Sequence, residues 1–235
     1  MDGKKIAAMA SRAEPLGLSF GEVELILQAR FFIDAERATA FRGRLQNLQR
    51  KGFPAGVNTG KGKPAIYGFD HLVKLLLAFS FIDLGMQPDQ ASELVELNGR
   101  ELVREAKDCF FLFDIEGGLK KSLSAMKVGT PPKLGTIGEG GLLVVHPNAL
   151  GPLKAADYQS PEISILNVND VRSTIGTHSP FSNQPSLIIS MGELVMRMLL
   201  HISFIKKWSA TETAASFIRW ASDYDEVGNA VDPKA

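Results

Sequence analysis

The sequence predicts an α+β fold in two parts, and three observations lead to it. Apolar residues at three- and four-residue steps, punctuated by caps and glycines, run from residue 15 to residue 107. Short apolar runs bounded by glycine, proline and asparagine take over from residue 108. Two long apolar helices then close the second part at residue 226, before a tail at 227–235. A chain of 235 residues with 45% hydrophobic and 22% charged side chains is long enough for one large or two small cores.

Phe20 to Arg30 carries Val23, Ile26 and Leu27 on one helical face, and Ser19 is its N-cap. After the turn FFID, Asp34 caps a second helix that extends to Lys51. In it Ala38, Phe41, Leu45 and Leu48 form a narrow apolar stripe. The opposite face bears Thr39, Gly43, Gln46, Asn47 and Arg50, with Arg42 on one flank and Arg44 and Lys51 on the other. Gly43 is costly inside a helix, which fits either a close approach to another surface or an internal packing contact. Gly52 ends the helix as its C′ residue, with Pro54 just beyond.

Next comes GVNTGKGKPAIYGFD, residues 56–70, a glycine-lysine loop ending on a short strand at Ile66 and Tyr67. It fails as a phosphate loop. Gly56 and Gly60 are too close, and Gly62 stands where the magnesium-binding hydroxyl belongs. The segment leading in is also a helix rather than a strand. FDHLVKLLLAFSFIDLG follows as a buried helix closed by Gly85, and residues 87–108 resume helix with Pro88 near the start. Helix, turn, helix, basic loop, helix, helix is a winged helix-turn-helix layout.

Charge points the same way. The net charge is zero, yet residues 30–63 hold Arg30, Arg37, Arg42, Arg44, Arg50, Lys51, Lys61 and Lys63 against only Asp34 and Glu36. A basic segment on a neutral chain indicates contact with a polyanion at one place. Amide and guanidinium groups on the second helix suit base edges in a major groove, with flanking cations on phosphates.

Residues 45 to about 97 resemble the DNA-binding domain of the MerR family of transcriptional regulators. LQNLQRKGFP occupies the end of that family's recognition helix and residues 56–65 its wing. Tyr67, Leu72, Leu84, Gly85 and Met86 fall on its tyrosine, apolar and LGF positions. The resemblance implies a dimer acting at promoters on double-stranded DNA, with RNA polymerase as a further partner. Gln46, Asn47 and Leu48 replace that family's arginine and two aromatics, and Ala65 replaces its wing arginine. The resemblance covers less than a third of the chain.

In the second part, CFFLFDI, GGLLVVH, PEISILNV and PSLIIS read as strands, and residues 127–141 as a linker or long exposed loop. MGELVMRMLLHISFIKKW and ATETAASFIRWASDYDE read as the two terminal helices. The first, Met191 to Lys207, is apolar so widely that the sheet, the last helix or a second subunit must cover it.

Chemistry-bearing motifs are absent. His71, His146, His178 and His201 lack ligand spacing, and one cysteine, Cys109, allows no intrachain disulfide or cysteine metal site. TIGEGG precedes a strand rather than opening a helix, and NVND, 167–170, is ordinary turn sequence. The N-terminus lacks a secretory apolar core, and the apolar stretch 69–86 carries Asp70, His71, Lys74 and Asp83, against a membrane span. The expectation is a cytoplasmic, non-enzymatic, sequence-specific DNA-binding regulator without cofactor or metal. Its DNA contacts are Arg37, Thr39, Arg42, Arg44, Gln46, Asn47, Arg50, Lys51, Lys61 and Lys63. Its C-terminal domain, 108–226, dimerises or senses a ligand. The alternatives are a phage-type recombination or packaging accessory using the same module, and a protein-interaction module without a DNA role.

Overall fold

The computed structural model describes residues 8, 10–57, 62, 64–112, 115–127, 141–145, 163–166 and 187–224. Among them, helices α1 (Phe20–Arg30), α2 (Ala38–Arg50), α3 (Phe69–Asp83), α4 (Pro88–Leu97), α5 (Gly99–Leu112) and α6 (Ile115–Lys127) come first. Strands β1 (Leu142–Val145), β2 (Ile163–Leu166) and β3 (Leu187–Ser190) follow, and helices α7 (Met191–Lys206) and α8 (Ala210–Asp223) end the order. The described part is therefore mostly helical, with one small antiparallel sheet, and α+β in class.

The local signals that set the first helices act as read. Ser19 accepts from the Glu22 amide while the Glu22 carboxylate accepts from Ser19 N–H at 2.7 Å, a complete capping box. Asp34 accepts from the Glu36 amide at 2.9 Å and caps a 3-10 turn, Ala35–Arg37, that leads into α2. Gly52 and Gly85 lie just past α2 and α3 with φ of +84 and +93, the left-handed turn an L side chain resists.

Three expectations need correction. CFFLFDI does not begin a strand: Cys109 to Leu112 finish α5, and a further helix, α6, starts at Ile115. The reason is periodicity, because Leu102, Val103, Ala106 and Cys109 are all buried and stack at helical steps on one face. Residues 87–108 are not one helix either. Asn98 interrupts them, its side-chain amide donating to the Leu94 carbonyl at 2.8 Å and so capping the end of α4. Ile66 and Tyr67 form no strand, only an isolated bridge in which Tyr67 and Leu18 exchange both backbone hydrogen bonds, at 2.9 and 3.0 Å.

The sheet has the order β2-β1-β3, with both neighbours antiparallel to β1, and Leu143 opposite Ile165 on one side and Ile189 on the other. Strand β3 runs straight into α7, whose N-cap Ser190 accepts from the Glu193 amide. Most of the expected linker at 127–141, the NVND turn, His146, His178 and the tail lie outside the described residues.

Helix α7 is the hub. It packs against α1, α3, α5, α6 and α8, and its Leu194, Val195, Met198, Leu199 and Ile202 are all buried. The apolar face that suggested a subunit contact is thus covered by the chain's own helices. Phe69 of α3 meets Phe217 of α8 edge-on at 4.9 Å, and Trp220 stacks on both. One continuous core links residues from Leu18 to Tyr224, and the boundary expected at 107/108 falls inside α5.

A strap closes the arrangement. The Arg219 guanidinium donates to the Ala13 carbonyl at 2.6 Å, Ser216 Oγ to that of Glu14 at 2.7 Å, and Lys206 Nζ to that of Gly17 at 2.8 Å. Lys206 also pairs with Glu22 of α1 at 2.8 Å.

His201, one turn beyond Arg197 on α7, is poorly hydrated; that burial, then Arg30 and Arg197, pull its pKa from 6.5 to about 4. Between those values the unfolded chain takes up a proton that the folded chain refuses, so stability falls as pH drops through this window. The loss attributable to this group is on the order of 2–3 kcal/mol. Urea unfolding at steps from pH 7 to 4 should show the parent losing stability faster than His201→Gln; parallel curves would assign the effect elsewhere.

Candidate nucleic-acid interface

The two helices that carry the basic segment are joined by a tight turn. Phe32 sits at its apex with φ 51 and is largely exposed, while Phe31 and Phe41, on either side, both pack on Phe79 of α3. Phe41, Leu45 and Leu48 are buried, so α2 is anchored along the stripe its sequence predicts. Its other side is open. Thr39, Arg42, Gly43, Arg44, Gln46, Asn47, Arg50 and Lys51 are exposed, as is Arg37 in the preceding turn. At the helical step, Thr39, Gly43, Gln46 and Arg50 fall within an arc of about 60°.

Gly43 settles one of its two readings. Among the described residues no atom lies within 4 Å of where its Cβ would stand, so no described packing contact requires the glycine. The helix bears the cost of about 1 kcal/mol without an internal reason among the described residues.

Not all of the cations are equivalent. Arg42 reaches across to α1, where its Nε and terminal nitrogen lie 2.9 and 2.7 Å from one oxygen of the nearly buried Glu24. Gln28 donates to the other Glu24 oxygen at 3.0 Å. Arg42 therefore holds α1 to α2, and only its exposed half is available outward. Lys51 pairs with Asp89 of α4, both on the surface, where such a pair contributes little and opens readily. Arg30 turns the other way: it is half-buried beside Arg197, Glu193 and Asp83, and loss of hydration lowers its pKa. Arg37, Arg44 and Arg50 form no ion pair with another described residue, and Lys61 and Lys63 lie outside the described residues.

The structure adds residues at the root of the glycine-lysine loop that the sequence did not single out. Glu96 of α4 accepts from the Ala55 amide at 2.8 Å and from Lys74 of α3, also at 2.8 Å. His71 of α3 accepts from the Gly68 amide through Nδ1 at 3.0 Å. That leaves its Nε2 on the side of the Asp70 carboxylate, 3.5 Å away. Burial keeps this imidazole below its usual pKa, with the Asp70 carboxylate opposing. The one available signal was the spacing of Asp89 and Glu96, two turns apart and so on one face of α4.

No family model, curated protein or solved structure matches the chain.

Among the described residues no group of three His, Cys, Asp or Glu is placed to hold a metal ion, and no helix is long and apolar enough to cross a membrane. The Cys109 thiol is pushed up to about 12 by burial first and then by Glu105, so it stays protonated near neutrality. An open groove of about 590 Å³ runs between α1 and α2, but its acids Glu22 and Glu24 are already paired with Lys206 and Arg42.

Proposed function

We propose that this chain is a sequence-specific double-stranded DNA-binding regulator in which α2 is the reading helix. The observation that carries the reading is the outward face of α2. It combines a hydroxyl, two amides and two guanidinium groups, Arg44 and Arg50, that form no ion pair among the described residues, with a glycine that no described contact explains. Gln46 and Asn47 are suited to adenine edges, Arg50 to guanine, and Thr39 to either base pair or phosphate. Arg37, Arg44 and, when released from Asp89, Lys51 supply phosphate contacts beside the groove, and Arg42 fixes the angle of the two helices. In this reading residues 56–65 are the wing, with Lys61 and Lys63 on phosphate, as in the MerR-like layout. The protein acts as a homodimer at paired half-sites, with RNA polymerase as a further partner at promoters. Phe204, 70% exposed on α7, is the apolar residue that a second copy would cover.

Genome-wide occupancy tests the function directly. Discrete promoter sites are expected; binding confined to DNA ends or attachment sites would instead support a recombination or packaging accessory. Absence of any salt-dependent DNA binding by the purified protein would end both readings. Replacing Lys61 and Lys63 together with alanine should weaken binding to all sequences alike and flatten the salt dependence by about two phosphate contacts. An unchanged slope would remove the loop from the interface.

A further inference from the structure

The loop between α2 and α3 has two feet, and one polar cluster holds both. Its first foot is Ala55, whose amide is held by Glu96. Its second foot is Gly68, whose amide is held by His71. The imidazole lies so close to Gly56 that Nε2 is 3.4 Å from where a Cβ on that residue would stand. Tyr67, beside the second foot, is edge-on to the imidazole and tied to Leu18.

The residues doing this come from elements other than the loop. Glu96 and Asp89 project from one face of α4; Glu96 holds Ala55 at the start of the loop, while Asp89 only meets Lys51 at the surface beyond α2. Lys74 of α3 neutralises the second oxygen of Glu96, the two side chains being 16% and 31% exposed, so the pair is partly shielded from water. Shielding matters: a carboxylate held by a backbone amide and a part-buried ammonium keeps one geometry, whereas a solvated pair samples many.

We propose that Glu96, with His71, is a positioning residue that presets the path of the basic loop from outside it, by fixing both feet on the α3–α4 pair. The inference rests on the reading of α2 and this loop as a DNA-binding surface for its effect on affinity, though not for its effect on the backbone. Preset feet reduce the ordering cost of the loop on binding, so loosening them lowers affinity without removing any contact group.

Two measurements on the full chain test this. Hydrogen exchange at the Ala55 amide should accelerate about tenfold or more in Glu96→Ala, and stay near the parent in Glu96→Gln, which retains an acceptor. In salt titrations with duplex DNA, Glu96→Ala should weaken binding. Combined with Lys61→Ala and Lys63→Ala, it should add less than about twofold to the loss those two cause, because it acts through them. A full multiplicative loss in the combined variant, or unchanged exchange at Ala55, overturns the proposal. If Glu96→Ala unfolds because Lys74 is left without its partner, Lys74→Met with Glu96→Ala removes the orphaned ammonium and is measured instead. If the parent binds no DNA, the proposed function fails while the exchange measurement still decides the clamp.

Discussion

Replacing Leu199 with aspartate is expected to unfold the whole chain and not to release a folded monomer. Leu199 is fully buried on the one helix that touches α1, α3, α5, α6 and α8. A carboxylate there has no hydrogen-bond partner in reach of an apolar core, and the substitution also empties volume that leucine fills. The combined cost is about 4 kcal/mol or more, against a total stability of roughly 5–15 kcal/mol for a protein of this kind. Because a single core spans both halves, the signal from α1–α4 should be lost together with that from α7 and α8. Circular dichroism with light scattering checks the outcome. A helical, cooperatively unfolding monomer from this variant would show that Leu199 faces a subunit boundary instead.

The second large effect contrasts two adjacent residues. Leu45→Ala should cost roughly 2–5 kcal/mol of stability, since Leu45 is 1% exposed and anchors α2. Gln46→Ala, one residue on and exposed, should leave the unfolding midpoint almost unchanged. It should instead alter preference at one base position by about 1–3 kcal/mol. Binding selections from a randomised duplex, run beside thermal unfolding, separate the two variants. Uniform weakening by Gln46→Ala across all sequences would put that amide on phosphate.

Much of this was readable locally. Ser19, Gly52 and Gly85 act within a turn of their own position, so the start of α1 and the ends of α2 and α3 follow from the chain itself, whereas Asp34 caps the 3-10 turn ahead of α2 and not α2. The stripe Phe41, Leu45, Leu48 likewise fixes which side of α2 faces out. CFFLFDI misled because a short apolar run is compatible with either period, and only the buried positions upstream show that the helix continues. The roles of Arg42 and Glu96 were beyond local signals. Each depends on a crossing of helices that brings Glu24 to Arg42, and Ala55 to Glu96, across 18 and 41 residues. The breadth of α7's apolar face was legible, as was α8 among its covers; α1 and α3 were not, since they lie more than a hundred residues earlier.

The strap that ties Ala13, Glu14 and Gly17 to α7 and α8 has a consequence for synthesis. Those contacts span 189 to 206 residues, so residues 13–17 leave the ribosome long before the side chains that hold them. Until α7 emerges, Val23, Ile26 and Leu27 of α1 lack the helix they pack beside, and the nascent N-terminal part stays open to solvent and to chaperones. A fragment ending at residue 107 would remain in that waiting condition permanently.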